Sequence, residues 1–239
     1  MVLLALMFGC AEPPVAGGQD PSVAEDALTL IDPARALELL AELPGGGCEP
    51  EVFIDGPGLR EVMTGCLDGS VDGELERYND ESLSWMEAEG LRVRDASGEL
   101  SVRFDGALER SEYPSAGGWL TRVELAATLG GSSLCGAALC GESDGAFLAD
   151  LSWTLLGSPD MGAEDVLVTG TLLLPAEGAI DVEGSWTRDD ALCAIEPLSG
   201  TLLLHGARTH TLRFDGACDG CVAWSVDGEE PELICGLGG

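Results

Sequence analysis

Apolar and polar residues alternate along most of the chain after about residue 50. The alternation is clearest over residues 100–104, 119–128, 147–156 and 180–187. In the third of these ranges Phe147, Ala149, Leu151, Trp153 and Leu155 fall on one side of the repeat. A period of two with one apolar side is typical of antiparallel strands that bury one face and expose the other.

Turn signals, mostly Gly with Ser, Asp or a second Gly, separate these ranges at intervals of about 10–13 residues. We therefore predict a mainly β fold of roughly ten strands. The strands are expected to form an antiparallel up-and-down meander closed as a barrel or sandwich. The predicted β domain covers residues 48–239.

Five tryptophans are spaced 34, 34, 33 and 38 residues apart along the predicted strands. Most of them share a strand side with aliphatic residues, so we expect them to pack in the core. A platform on which a ligand stacks is the functional alternative. The five residues are Trp85, Trp119, Trp153, Trp186 and Trp224.

A short helical segment is predicted before the β domain, over residues 23–47. Asp32 can cap the helix and Pro33 fits its first turn, while Ala36, Leu37 and Leu40 belong to an apolar face. Pro44 and the glycines after it end the segment. We expect this segment to pack over a sheet edge or barrel mouth.

The chain begins with a seven-residue apolar run at 2–8, followed by Gly9 and Cys10. The run is too short to span a bilayer, which takes about 20 residues, and matches the apolar core of a signal peptide. This start resembles the lipobox of bacterial lipoproteins, in which a small residue precedes the cysteine that is lipidated. The resemblance implies a signal peptide over 1–9, a lipid on Cys10, and a lipid-anchored flexible tether over 10–22. An ordinary cleaved signal peptide, or an apolar terminus with an unpaired cysteine, is the alternative.

Nine cysteines support the lipoprotein interpretation, because nine is odd and such a number is typical of an oxidising compartment. With Cys10 lipidated, eight candidates for disulfides remain. We favour the pairs Cys48–Cys66, Cys135–Cys140, Cys218–Cys221 and Cys193–Cys235. Four thiolates around a structural zinc are the alternative for the two short-spaced pairs.

The formal net charge of −32 comes from 43 acidic residues against 11 basic ones, all of them Arg. Nucleic acid and anionic membrane surfaces are poor partners for such a chain, since both need clustered basic residues. Hydrophobic residues make up 45% of the chain, enough for a core.

Candidate chemistry outside the cysteines is sparse. His205 and His210 flank a predicted turn and are expected to be exposed, and acidic residues crowd 68–81 without the spacing of an EF-hand. The zinc-protease, phosphate-loop and dinucleotide motifs do not occur, and the one G-x-S-x-G stretch, at 141–145, has neither histidine beside it in the sequence. We therefore predict no catalytic residues, no metal site and no cofactor.

The predicted function is a non-enzymatic lipoprotein of the cell envelope, on the outer membrane and facing the periplasm or the surface. Its role is binding or structural, with a protein or small molecule as ligand, and its contact with the membrane is through the N-terminal lipid anchor only. The whole plan resembles uncharacterised β-rich, cysteine-stapled bacterial lipoproteins. A secreted hydrolase that uses paired carboxylates is the alternative.

Overall fold

The computed structural model describes residues 31–33, 50–65, 70–94, 97–115, 118–131, 146–157, 162–174, 178–189, 191–193 and 197–235. These contain thirteen β-strands and no helix. The strands are β1 Glu51–Asp55, β2 Gly58–Thr64, β3 Val71–Asn79, β4 Leu83–Arg94, β5 Leu100–Ser115, β6 Gly118–Gly130, β7 Ala146–Gly157, β8 Glu164–Leu174, β9 Gly178–Arg188, β10 Ser199–His205, β11 Thr209–Phe214, β12 Cys221–Val226 and β13 Glu232–Cys235.

All thirteen strands belong to one antiparallel sheet in which spatial order follows chain order, from β1 to β13. This confirms the predicted mainly β, antiparallel up-and-down meander, with more strands than the roughly ten expected. The sheet is not closed, because β1 and β13 are its two ends in the described part of the chain. Closure as a barrel or sandwich is therefore not confirmed.

The core lies on one side of the sheet, here called the inner face, and the opposite side is the outer face. Cross-strand register aligns the buried positions, so that Val123 of β6 is opposite Trp153 of β7, which is opposite Val168 of β8. All three side chains are fully buried. The predicted alternation over 119–128 and 147–156 thus corresponds to one buried and one solvated face of β6 and β7.

Close strand packing on the inner face requires glycine at certain positions. Gly170 of β8 has a φ of 152°, and a Cβ there would lie 2.1 Å from the carbonyl oxygen of Asp150. Only glycine fits such a backbone, and glycine within a strand marks a tight bend or a close approach.

The tryptophans divide between core and surface. Trp153, Trp186 and Trp224 are buried on the inner face, as predicted. Trp85 is half-buried and stacks on Tyr78 on the outer face, with ring centroids 6.1 Å apart. Trp119 lies at the end of β6 and is half exposed, so the regular spacing does not produce one continuous layer.

Most of the predicted helical segment lies outside the described residues, so its helix is not confirmed. Of this segment the structure describes residues 31–33. Ile31 is buried among the inner-face residues, and its carbonyl oxygen accepts a hydrogen bond of 2.7 Å from Nε1 of Trp153. Asp32 forms an ion pair with Arg188 at 3.6 Å. Ile31 therefore contacts the middle of the inner face, and not a sheet edge as expected.

Candidate functional site

Strands β1 and β2 form a hairpin, here called the edge hairpin, at one end of the sheet. Its loop is Gly56-Pro57, and Asp55 is opposite Gly58. Gly56 has a φ of 61°, the left-handed conformation that a two-residue hairpin turn requires at its first central position. A Cβ on Gly58 would lie 2.5 Å from the ring of Tyr78. The Tyr78 side chain of β3 therefore lies directly over this glycine.

The edge hairpin exposes apolar side chains on both of its faces. Ile54 is 86% exposed and Val52 is 55% exposed, both on the same side as the inner face, while Phe53 is 45% exposed on the other side. Leu59, opposite Ile54, is also exposed. Strands with this composition normally bury at least one face, so the edge hairpin extends beyond the core.

One edge of β1 is available for hydrogen bonding, because β1 pairs only with β2 in the described part of the sheet. In a two-residue hairpin the residues next to the loop form a hydrogen-bonded pair, and bonding then alternates along the strand. Asp55, Phe53 and Glu51 therefore bond toward β2. The backbone groups of Val52 and Ile54 point away from the sheet.

Two cross-strand ion pairs, one on each face, tie β2 to β3. Arg60 Nε donates to Glu76 Oε1 at 2.5 Å on the outer face, and Arg77 donates to Glu61 on the inner face. The hydrogen bond from Arg60 lowers the pKa of Glu76. Arg60 within the edge hairpin and Arg77 on the adjacent strand β3 are thus both bound to carboxylates.

Two carboxylates mark the ends of β1. Glu51 and Asp55 are both exposed, and neither forms an ion pair within the described residues. Arg60 and Arg77 are bound to Glu76 and Glu61, and Arg60 also attracts Asp55 electrostatically. Since these two arginines face four carboxylates, Glu51 and Asp55 included, the net charge around β1 is negative. The exposed apolar residues therefore lie between two negative charges.

The turn after β3 contains Asp80, which fixes the position of Tyr78 beside the edge hairpin. Asp80 accepts hydrogen bonds of 2.7 Å from the backbone amides of Ser82 and Leu83, and one of 3.0 Å from the Tyr78 hydroxyl. These bonds, led by the amide of Ser82, lower the pKa of Asp80. Tyr78 is thereby fixed between Asp80, Trp85 and the backbone of Gly58.

The opposite edge of the sheet, β13, is held by a disulfide and buries one of its apolar side chains. β13 has only four residues, follows Pro231, and is joined to β12 by the disulfide between Cys221 and Cys235. Ile234 is buried, at 6% exposure, although Leu233 is exposed. Short length, proline and charge are the usual protections of an edge strand, and β1, with five residues, Pro50 before it and an acid at each end, shares them. The two edges differ in the disulfide of β13 and in the burial of Ile234, which has no counterpart in β1.

Four of the predicted disulfide candidates are bonded in the structure, but in other pairs than those favoured. Cys193 is joined to Cys218, and Cys221 is joined to Cys235, whose Cα atoms are 4.0 Å apart in cross-strand register. The predicted pairs Cys218–Cys221 and Cys193–Cys235 are therefore wrong, because adjacent strands place Cys221 opposite Cys235. The other predicted residues, Cys10, Cys48, Cys66, Cys135 and Cys140, lie outside the described part of the chain.

The two histidines do not form a site together. His205 is exposed at the end of β10, as predicted, and its Nδ1 lies 3.3 Å from Oγ1 of Thr209. His210 is half-buried and accepts a hydrogen bond of 3.3 Å from Nε1 of Trp224, so its predicted exposure is wrong. Its register with Leu204 places it on the inner face.

The acidic cluster is mostly a strand and not one loop. Asp72, Glu74 and Glu76 lie along β3, and Asp80 and Glu81 follow it. No group of three or more His, Cys, Asp or Glu side chains is placed to hold a metal ion among the residues described. The pKa values of Glu76, Asp80 and Asp227 are lowered, the opposite of the raised pKa of a general acid.

The edge hairpin was not singled out by the sequence patterns used above. Its signal is the apolar run Val52-Phe53-Ile54 between two acids, followed by Gly-Pro-Gly. Three successive apolar residues place at least one on each face of a strand. The same run is also typical of a strand buried on both faces, so it does not by itself distinguish an edge strand from a central one.

No helix long and apolar enough to cross a membrane occurs in the part of the chain that the structure describes. No protein-family model, no curated protein and no solved structure matches this chain.

Proposed function

We propose that this chain is a lipid-anchored protein of the bacterial cell envelope with a binding role and no catalytic one. The observation that carries the binding role is the edge hairpin, which has exposed apolar side chains and outward-facing backbone groups on the end strand of the sheet as described. Surfaces of this kind are recurrent sites of protein association.

The envelope location is supported by the two disulfides in the C-terminal part of the chain and by the sequence of the N-terminus. Disulfides persist in the periplasm and at cell surfaces, and are rare in the cytosol. Cys193–Cys218 and Cys221–Cys235 hold the last strands together. The Gly9-Cys10 start adds the anchor, and residues 10–22 give the tether that separates the β domain from the membrane.

The net charge of −32 fits a protein held at high local concentration on a membrane. Like charges keep crowded copies apart and soluble. The same charge selects against polyanionic partners, so the ligand is expected to be neutral or basic.

Acyl labelling tests the anchor. The gene, with its natural upstream region, is expressed in a bacterial host fed an alkyne-labelled fatty acid, and the membrane fraction is probed. We expect label and membrane association in the wild-type chain, and the loss of both in Cys10→Ser. The control Cys193→Ser/Cys218→Ser removes a disulfide and should keep its label. An unlabelled wild-type chain, or a labelled Cys10→Ser variant, would contradict the proposal.

A further inference from the structure

We infer that the edge of β1 that no described strand pairs with binds an extended, basic segment of a partner protein by strand addition. This inference rests on the binding role proposed above and names the class of its partner. It follows from three properties of β1, which are the direction of its backbone groups, the exposure of its apolar side chains and the charge at its ends.

The backbone provides the docking bonds. The amide and carbonyl groups of Val52 and Ile54 face away from β2, in the register set by the two-residue turn. An extended segment placed beside β1 would donate hydrogen bonds to the carbonyl oxygens of these two residues and accept hydrogen bonds from their amides. Affinity in strand addition comes mainly from such main-chain bonds.

The side chains provide contacts on both faces of the added strand. Val52 and Ile54 lie on one side of β1 and Phe53 lies on the other, and all three are largely exposed. An apolar residue of the partner opposite each of them would remove apolar surface from water, at about 25 cal/mol per Å². The partner segment therefore carries at least three successive apolar or β-branched residues.

The charges select basic ends for that segment. Glu51 and Asp55 are four residues apart, at the two ends of the exposed apolar run, and the arginines of β2 and β3 are already engaged by Glu76 and Glu61. Residues of the partner opposite Glu51 and Asp55 are best basic, since opposite charges across strands are favourable. The partner motif is thus Lys or Arg, three apolar residues, and Lys or Arg.

A second copy of this chain is a poor occupant of the same edge. Antiparallel self-pairing of β1 around Phe53 would place Glu51 of each copy opposite Asp55 of the other. Like charges opposite each other destabilise a strand pair, and two copies that each carry a net charge of −32 repel further. A basic partner segment avoids both the repulsion between facing acids and the repulsion between two negatively charged copies.

Fluorescence anisotropy with a defined peptide tests the inference, using the full chain purified from its membrane in detergent. The probe is a labelled peptide with Lys-Val-Phe-Val-Lys at its centre. One control has Glu in place of both Lys, and another has Pro in place of the central Phe. We expect the Lys peptide to bind at least about tenfold more tightly than either control, and to weaken severalfold as salt is raised.

Variants of β1 locate the bound peptide. Ile54→Pro removes an outward-facing amide, a position where an edge strand tolerates proline, and should weaken binding at least about tenfold. Ile54→Lys is the second variant, since a side chain that is 86% exposed tolerates the change, and it should weaken binding by charge repulsion. The matched control is Leu233→Lys on β13, also exposed on an edge strand, which should bind within about twofold of wild type.

Four results would overturn the inference: equal binding of the Lys and Glu peptides, no binding of the Lys peptide, wild-type affinity in both Ile54 variants, or a wild-type dimer in sedimentation that Ile54→Pro dissociates. The last would make a second copy the occupant. The mass of the same preparation reports the lipid on Cys10. An acylated chain that does not bind the peptide refutes the docking inference alone, and a peptide-binding chain without a lipid refutes the anchor alone.

Discussion

The indole Nε1 of Trp153 in β7 donates a hydrogen bond of 2.7 Å to the backbone carbonyl oxygen of Ile31, 122 residues away in the chain. Both residues are buried, so the bond lies within the core. It joins the segment before the β domain to the centre of the sheet. The chain between Cys10 and the sheet is therefore attached to the core at Ile31.

Removal of this bond should destabilise the protein. Trp153→Phe leaves the buried carbonyl of Ile31 without its donor, which costs about 1–3 kcal/mol in the free energy of unfolding. Urea denaturation followed by circular dichroism measures the difference. The control is Trp119→Phe, a half-exposed position at the end of β6, for which a change within about 0.5 kcal/mol is expected. Equal effects of the two variants would contradict a buried bond at Trp153.

The exposure of β1 predicts an asymmetry between two isoleucines on edge strands. Ile54→Thr should change the free energy of unfolding by less than about 0.5 kcal/mol, because Ile54 is 86% exposed. Ile234→Thr, at 6% exposure, should cost about 1–3 kcal/mol, because it loses buried apolar contact and brings a hydroxyl into the core. Thermal denaturation of the two variants measures both changes. A similar loss of unfolding free energy in the two variants would contradict the exposure of Ile54.

The disulfide pairing can be read from one digest. Cleavage before aspartate under non-reducing conditions separates 190–214, 215–218, 219–226 and 227–239, each with one of the four cysteines. We expect 190–214 linked to 215–218, and 219–226 linked to 227–239, as the structure pairs them. Mass spectrometry identifies the linked fragments. A link between 215–218 and 219–226 would instead support the pairing first expected from sequence.

The turn at Asp80 predicts a pH dependence. Backbone amide bonds, led by that of Ser82, lower the pKa of Asp80 in the folded protein. Its stabilisation is therefore complete above the unfolded pKa of about 3.9 and is lost as the pH falls through the folded value. Asp80→Asn has no such loss, so the wild-type advantage in melting temperature should shrink as the pH falls below about 4. The effect should persist at high salt, since its main donors are amides and not charges. A wild-type advantage that is unchanged in acid would contradict this account of the turn.

Much of the fold could be predicted from the sequence, because strand alternation is a local property. The sides assigned to Val123, Leu125, Leu151 and Trp153 are those found in the sheet, and the meander follows from turns at short intervals. The closure of the sheet could not be read in the same way, since it depends on which strands become edges. Spacing alone also placed Trp119 in the core, where the strand end in fact leaves it half exposed.

The site was harder to predict than the fold, because it exists only where no second strand pairs with β1 in the described sheet. No local feature of Glu51–Asp55 predicts that its outer side lacks a partner strand among the described residues. The disulfides show the same limit, since Cys218 and Cys221 are near in sequence but each bonds to a cysteine that the sheet or its loops bring close. The lipid on Cys10 stays a prediction, because that residue lies outside the described chain.

Hydrogen exchange at three successive amides of β1 tests the open edge most directly. In the free protein the amides of Val52 and Ile54 should exchange rapidly, because they face solvent, while the amide of Phe53 is protected by its bond toward β2. Addition of the Lys-Val-Phe-Val-Lys peptide should slow exchange at Val52 and Ile54 and leave Phe53 unchanged. Protection of Val52 and Ile54 already in the free protein, or no slowing with saturating peptide, would contradict an edge that is available for strand addition.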